Sequence, residues 1–206
     1  MAGSEKSGAF SSSESNGKTF ALPHGPDDLP ASRSIVLSYR YTVNAPRSFV
    51  WAYLIELEKI YSQTSPAHKH FRVVEGGPIS ASSVIECGEV VDGEHAEHVY
   101  HVNRYEPDTA LHYVSPDSVT TMPDGKKFKS SVYCSFDLTD AGTTGTDLTQ
   151  IDFAVIIVLP NRMYRFFAKL MGTVTTWQPH IVEESLSFAR IVDRAFFDQQ
   201  ARNNRN

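Results

Sequence analysis

The chain has 206 residues, 41% of them hydrophobic, which suits one domain with a core plus a flank too polar to join it. A formal charge of -5 with no dense Lys/Arg run removes the electrostatic basis for tracking phosphates, so nucleic acid is excluded as an expected partner. Cys87 and Cys134 follow no zinc-ribbon or CxxC spacing and are too few for a disulfide framework, which is compatible with a reducing compartment.

No apolar run reaches the ~18 residues a membrane span needs, and the opening MAGSEKSGAFSSSESNG contains no apolar h-region. The expectation is a soluble, cytoplasmic protein without a membrane partner. Residues 1–33 are rich in Ser, Gly and Pro, with only Phe10, Phe20 and Leu22 scattered among them, and they bury too little to offset ordering entropy. They are predicted to be a disordered tail, followed by one domain over 34–199 and a short tail over 200–206.

A first strand is predicted over 34–43, where Ile35, Leu37, Tyr39, Tyr41 and Val43 alternate with their neighbours and Asn44-Ala45-Pro46 ends the run. Pro46 sits where a helix would open, and Phe49, Val50, Tyr53, Leu54 and Leu57 recur at helical spacing to about Tyr61. After the polar break Ser62–Pro66, strand-like runs follow at about 70–76, 82–92, 96–105, 109–114, 127–138 and 146–158. In 127–138 the alternation is clearest, with one buried and one wet face, which marks an antiparallel sheet. Asp124-Gly125 predicts a hairpin turn before it.

The last element runs from about Arg162 to Gln199, longer than the usual ~10–14 residues of a helix. Pro179 is unwelcome in mid-helix but suits a first turn, so a kink or fresh start is expected near Gln178. Beyond it, His180 and Glu184 stand four residues apart and can aim an imidazole and a carboxylate at one spot, with Trp177 joining that face if the helix is continuous. An isolated HxxxE pair is by itself most often a surface feature.

Strand, helix, a run of antiparallel strands and one long final helix make an α+β arrangement in which the sheet curls and the helix closes its concave side over a small-molecule cavity. This order resembles the helix-grip fold of the Bet v 1/START-like superfamily across about residues 34–197. Ser65-Pro66-Ala67-His68 with Phe71, Glu89-Val90-Val91-Asp92-Gly93 and His180-Ile181-Val182-Glu183-Glu184 further resemble the zinc-dependent carbon–carbon hydrolases typified by diacetylphloroglucinol hydrolase and phloretin hydrolase. The resemblance implies zinc held by His68, Glu89, His180 and Glu184, with His70 an alternative to His68 and Glu86 to Glu89. It implies hydrolysis of the bond between an acyl group and an electron-rich phenolic ring.

Alternation places Ile85, Cys87, Glu89 and Val91 on one strand face, so Glu89 faces inward and needs a partner there, whereas Glu86 faces solvent. Parity does not choose between His68 and His70, which straddle a loop-to-strand boundary. Two imidazoles and two carboxylates suit a first-row metal, with zinc the default. A separate acid must protonate the ring carbon. Among His98, His101, Tyr100 and Tyr113, the two histidines lie on opposite strand faces; His101 and Tyr113 are the catalytic expectations. Trp177, Phe136 and Phe153 are the expected stacking residues for a small hydrophobic or aromatic substrate. Two other classes fit the same fold: a metal-free cyclase or isomerase of a polyketide- or terpenoid-like substrate, and a non-enzymatic carrier of a hydrophobic ligand. A homodimer is compatible with all three.

Overall fold

The computed structural model describes residues 29–142, 147–170 and 172–205, with the side chains of residues 167, 169 and 170 left aside. Most of the tail expected over 1–33 therefore lies outside the described residues. Seven antiparallel strands follow in chain order: β1 (Ser34–Val43), β2 (His68–Val73), β3 (Val84–Val91), β4 (Glu94–Glu106), β5 (Ala110–Thr121), β6 (Lys127–Asp140) and β7 (Thr149–Val158). Their spatial order is β1-β7-β6-β5-β4-β3-β2. Between the edge strands lie α1 (Arg47–Ile55) and α2 (Tyr61–Thr64), and the chain ends in α3 (Arg162–Leu170) and α4 (Thr173–Asn203). Helix α4 packs on β1 and touches α1, α2 and β3, closing the concave face of the sheet as the α+β expectation requires.

Each departure from the sequence pattern has a local cause. The helix expected from Pro46 to Tyr61 is interrupted after Ile55: the carbonyl of Ile55 accepts from the backbone N–H of Ile79, and Lys59 N–H turns to Glu56 instead. The fifth strand, expected to stop near 114, continues to Thr121. A register shift between Ser115 and Ser118 lets the ladder pass Pro116, which has no N–H to offer. The fresh start expected at Gln178 falls instead at Gly172, which adopts φ +82° where a Cβ would stand 2.9 Å from Thr175 Oγ1. Pro179 is thus inside an unbroken helix. Its missing N–H frees the carbonyl of exposed Thr175, where water can serve it. The same helix runs on to Asn203, past the last apolar residue of the pattern.

Alternation along the strands sorts the core. Inward residues such as Leu37, Ile85, Leu111, Leu138 and Ile151 are fully buried, and α4 adds Ile181, Phe188 and Val192. A smaller cluster of Val114, Tyr133, Ile156 and Val158 lies on the opposite face, with Leu29 packed against it. The hairpin at Asp124-Gly125 forms as expected, Gly125 at φ +82° and Gly125 N–H donating to the Met122 carbonyl at 2.8 Å.

Candidate metal centre and cavity

A bulge decides between the two histidines that strand parity leaves open. His68 pairs with Glu89 and His70 with Gly88, so Lys69 is the extra residue and the two histidines face opposite ways. His68 is buried and turned inward. His70 is exposed and lies 3.5 Å from Glu97 on the outer face. Glu86 is likewise outside, paired with Arg72. Glu89 faces inward.

Three of the four expected donors, His68, His180 and Glu184, gather from β2 and α4, and Glu89 on β3 stands beside them next to His180. His68 Nε2 is 3.9 Å from Glu184 Oε2, and His180 Nε2 is 3.7 Å from Glu89 Oε2. Ligand atoms of His68, His180 and Glu184 all lie within 4.8 Å of one another. Both Nε2 atoms are buried and have no hydrogen-bond partner among the described residues, a costly state for a polar atom unless something else occupies the space between them.

The other nitrogens say which way the lone pairs point. His68 Nδ1 is 2.8 Å from the Tyr61 carbonyl, which can only accept, so Nδ1 carries the proton and Nε2 the lone pair. Thr64 Oγ1 also meets this nitrogen, at 2.9 Å. Ser65 Oγ donates its one proton to Glu183 Oε2 at 3.2 Å, so in its 3.4 Å contact with His180 Nδ1 the imidazole is the donor. That again turns Nε2 toward the centre. Tyr61 stacks on His68 and donates its hydroxyl to Glu89.

The carboxylates differ sharply in acidity. Burial raises the pKa of Glu89, but the imidazoles of His180, His98 and His68 more than reverse this and hold it at about 2. Glu184 is pushed up to about 8, by burial first and then by the Glu89 charge beside it. Burial lowers His68. For His180, burial also works downward, but Glu89 and Glu184 outweigh it and the net shift is upward. The donor set fits a divalent first-row cation: two imidazole lone pairs and two carboxylates would make a buried site neutral overall, and His68, His180 and Glu89 are each held by an outer partner.

Beyond these donors a cavity of about 610 Å³ extends along the concave face. Glu89 and Glu184 line one part, and His98, Tyr100, Tyr113, Phe153 and Trp177 line others. Trp177 Nε1 donates to Glu94 Oε2 at 2.7 Å, which sets its ring. Three of the expected cavity residues, Tyr113, Phe153 and Trp177, are therefore in place. Phe136 is not: it stacks on Phe153 at 4.4 Å and does not line this cavity.

His101 is also displaced from its expected position. On β4 the buried residues are Ala96, His98, Tyr100 and Val102, so His101 belongs to the outer face and His98 to the cavity. The signal was present in the sequence, since Ala96, Tyr100 and Val102 share the strand face of His98 while Glu97 shares that of His101. His98 Nδ1 meets Ser118 Oγ at 2.8 Å, and its ring stacks on Tyr100. Tyr61, Thr64, Ser65 and Ser118 are the orienting residues that sequence reasoning missed. Thr64 stands four residues before His68, and Ser65 opens the short motif that contains it. Tyr61 and Ser118 had no such mark.

No family model matches the chain, and no curated protein matches it in sequence. Solved structures do match in shape. The Zhui aromatase/cyclase from Streptomyces sp. R1128 superposes with a TM-score of 0.56 at 14% identity, over 78% of this chain and 94% of that one. Major latex-like protein 151 from Panax ginseng gives 0.53 at 12% identity, over 79% and 97%. A conserved protein from Geobacillus kaustophilus gives 0.56 at 10%, over 78% and 97%. With its seven-stranded curved antiparallel sheet closed by a long C-terminal helix, this chain has the helix-grip fold of Bet v 1/START-like proteins.

Proposed function

We propose that the protein is a metal-dependent hydrolase that cleaves the carbon–carbon bond between an acyl group and a phenolic ring. One observation carries this reading: two buried imidazoles aim partnerless Nε2 atoms at a common centre flanked by Glu89 and Glu184. His68, Glu89, His180 and Glu184 would hold the ion. When bound, zinc supplies a Lewis acid for a carbonyl oxygen and makes water a stronger acid.

The chain's own groups supply the rest. Tyr113 and Tyr100 keep their protons, because burial raises both hydroxyls well above the usual phenol range, so they serve as hydrogen-bond donors to substrate oxygens. His98, lowered by burial, is neutral at pH 7; with Nδ1 engaged by Ser118, its Nε2 is the nitrogen left to exchange a proton with the reactants. Water adds to the acyl carbon as one of its protons passes to His98, the bond to the ring breaks, and His98 returns that proton to the ring carbon, giving a carboxylic acid and a deacylated phenol and leaving His98 neutral again. Phe153 and Trp177 flank the space for a flat ring.

A metal-free cyclase is the second reading, supported by the shape match to an aromatase/cyclase and by a cavity large enough for a multi-ring substrate. Elemental analysis of protein purified without added metal separates the two. About one zinc per chain, lost in His180→Ala, and an acylated phenol converted to products that together gain one water support the hydrolase. No stoichiometric metal, with a product of unchanged mass or one that loses water, supports the cyclase. Tight binding of phenols without turnover in either case leaves a carrier.

A further inference from the structure

Of the four donors, Glu184 alone has no outer hydrogen-bond partner among the described residues, and its Oε2 is the oxygen turned to His68. The residue borders two spaces. One is the large cavity; the other is a separate void of about 10 Å³ that Tyr41, Thr64, Ser185, Phe136 and Phe188 also line. Phe136, absent from the large cavity, has its place here.

Tyr41 reaches this void from β1, the strand on which α4 packs. It belongs to the inward alternation of Leu37, Tyr39, Tyr41 and Val43 and is buried. Its hydroxyl oxygen has no hydrogen-bond partner among the described residues, a costly state for a group that both donates and accepts. Burial, and after it the Glu184 charge, raise this hydroxyl well above the usual phenol range, so it keeps its proton and lies within electrostatic reach of the carboxylate.

A void of this size holds one water and no more, and a water is retained only where two to four polar groups meet it. The wall can supply them. Ser185 gives its proton to the Ile181 carbonyl at 2.7 Å and Thr64 gives its own to that of Tyr61 at 2.8 Å, so both hydroxyl oxygens keep lone pairs. A water that accepts from Tyr41 then has two protons to place, one on Glu184 and one on either of these oxygens.

We infer that Tyr41 is a positioning residue for the metal centre: through one buried water it holds Oε1 of Glu184, so that Oε2 alone is presented to the ion. A carboxylate bound through one oxygen takes one coordination position, which leaves another for a substrate oxygen. The inference rests on the metal-centre reading of His68, Glu89, His180 and Glu184.

The test compares Tyr41→Phe with Tyr39→Phe, two residues along the same strand. Tyr41→Phe should lower zinc affinity by about 10–100-fold in competition with a chromophoric chelator, and Tyr39→Phe should stay within about twofold of the parent. Metal-free Tyr41→Phe should melt within a few degrees of the parent, which separates lost positioning from lost folding. Saturated with cobalt(II), it should absorb more weakly in the visible, because a freed carboxylate binds through both oxygens and raises the coordination number; a merely structural role would leave that spectrum unchanged. A crystal structure of the metal-free full chain should show one water within hydrogen-bonding distance of Tyr41 Oη and Glu184. Zinc on the parent together with a dry void, or with equal affinities in the two variants, would overturn the inference alone. No zinc on the parent would overturn the metal-centre reading and the role of Tyr41 with it.

Discussion

Tyr61 lies flat against His68, ring centroids 3.7 Å apart and planes 3° apart, while its hydroxyl donates to Glu89. One side chain from α2 thereby sets two of the four donors. Tyr61→Phe keeps the stack and removes the bond to the carboxylate. Metal affinity should fall by about 10–100-fold, with a loss of roughly 1–3 kcal/mol in stability for the unpaired acceptor. Competition with a chromophoric chelator reads the first quantity and denaturant unfolding the second. An unchanged affinity would mean that Glu89 is held without Tyr61.

Glu183 and Glu184 are sequence neighbours with different work. Glu184 faces the two imidazoles, whereas Glu183 is exposed and reaches the site only through Ser65. Glu184→Gln should cost more than the ~10–100-fold typical of losing an outer partner, and should abolish turnover of an acylated phenol. Glu183→Gln should cost at most about tenfold. Metal-free Glu184→Gln protein should melt no lower than the parent, because a neutral amide replaces a carboxyl that is protonated at neutral pH. Equal affinities in the two variants would remove this helix face from the metal site.

Acidity makes the metal-free protein sensitive to pH in a defined direction. Glu184 has its pKa raised to about 8 from the usual 4.5, so between those values the folded chain binds a proton that the unfolded chain has released. Stability therefore falls as pH rises across that window. His180, shifted upward from 6.5, adds to the fall above that value. His68, shifted downward, opposes it below 6.5. The decline should be clearest between about pH 6.5 and 8 in melting curves taken with a chelator, and Glu184→Gln should flatten it. Loading with zinc near pH 7 should release protons, measured by calorimetry in buffers of different ionisation heat.

His98 and His101 offer a contrast within one strand. His98→Gln should lower kcat for an acylated phenol by about 10²–10⁴-fold while leaving zinc content intact. His101→Gln, on the outer face, should leave kcat within about twofold, as surface substitutions usually perturb little. Equal losses would place the proton donor elsewhere, with Tyr113 next to be tested.

Order of elements, strand parity and the i,i+4 pair were legible in the chain because they are local and periodic. Alternation placed Glu89 inward and Glu86 outward, and helical spacing put His180 beside Glu184. The α+β layering followed from the same periodicities. Where a local rule was misapplied, as with His98 and His101, the pattern of neighbouring Ala96 and Tyr100 already held the answer.

What only tertiary structure decided depends on a single residue of slip or on partners far apart in sequence. The bulge at Lys69 turns His68 in and His70 out, and no periodicity announces one extra residue at a strand end. The break before α4 falls at Gly172 because only there does the backbone take a left-handed turn beside Thr175, so Pro179 is carried inside the helix. Tyr61 meeting Glu89, Ser65 meeting His180, and Ser118 meeting His98 are contacts across 28, 115 and 20 residues. The residue types were written in the chain; the orientation of each lone pair arises only when sheet and helix close on one another and strip water from the atoms between them.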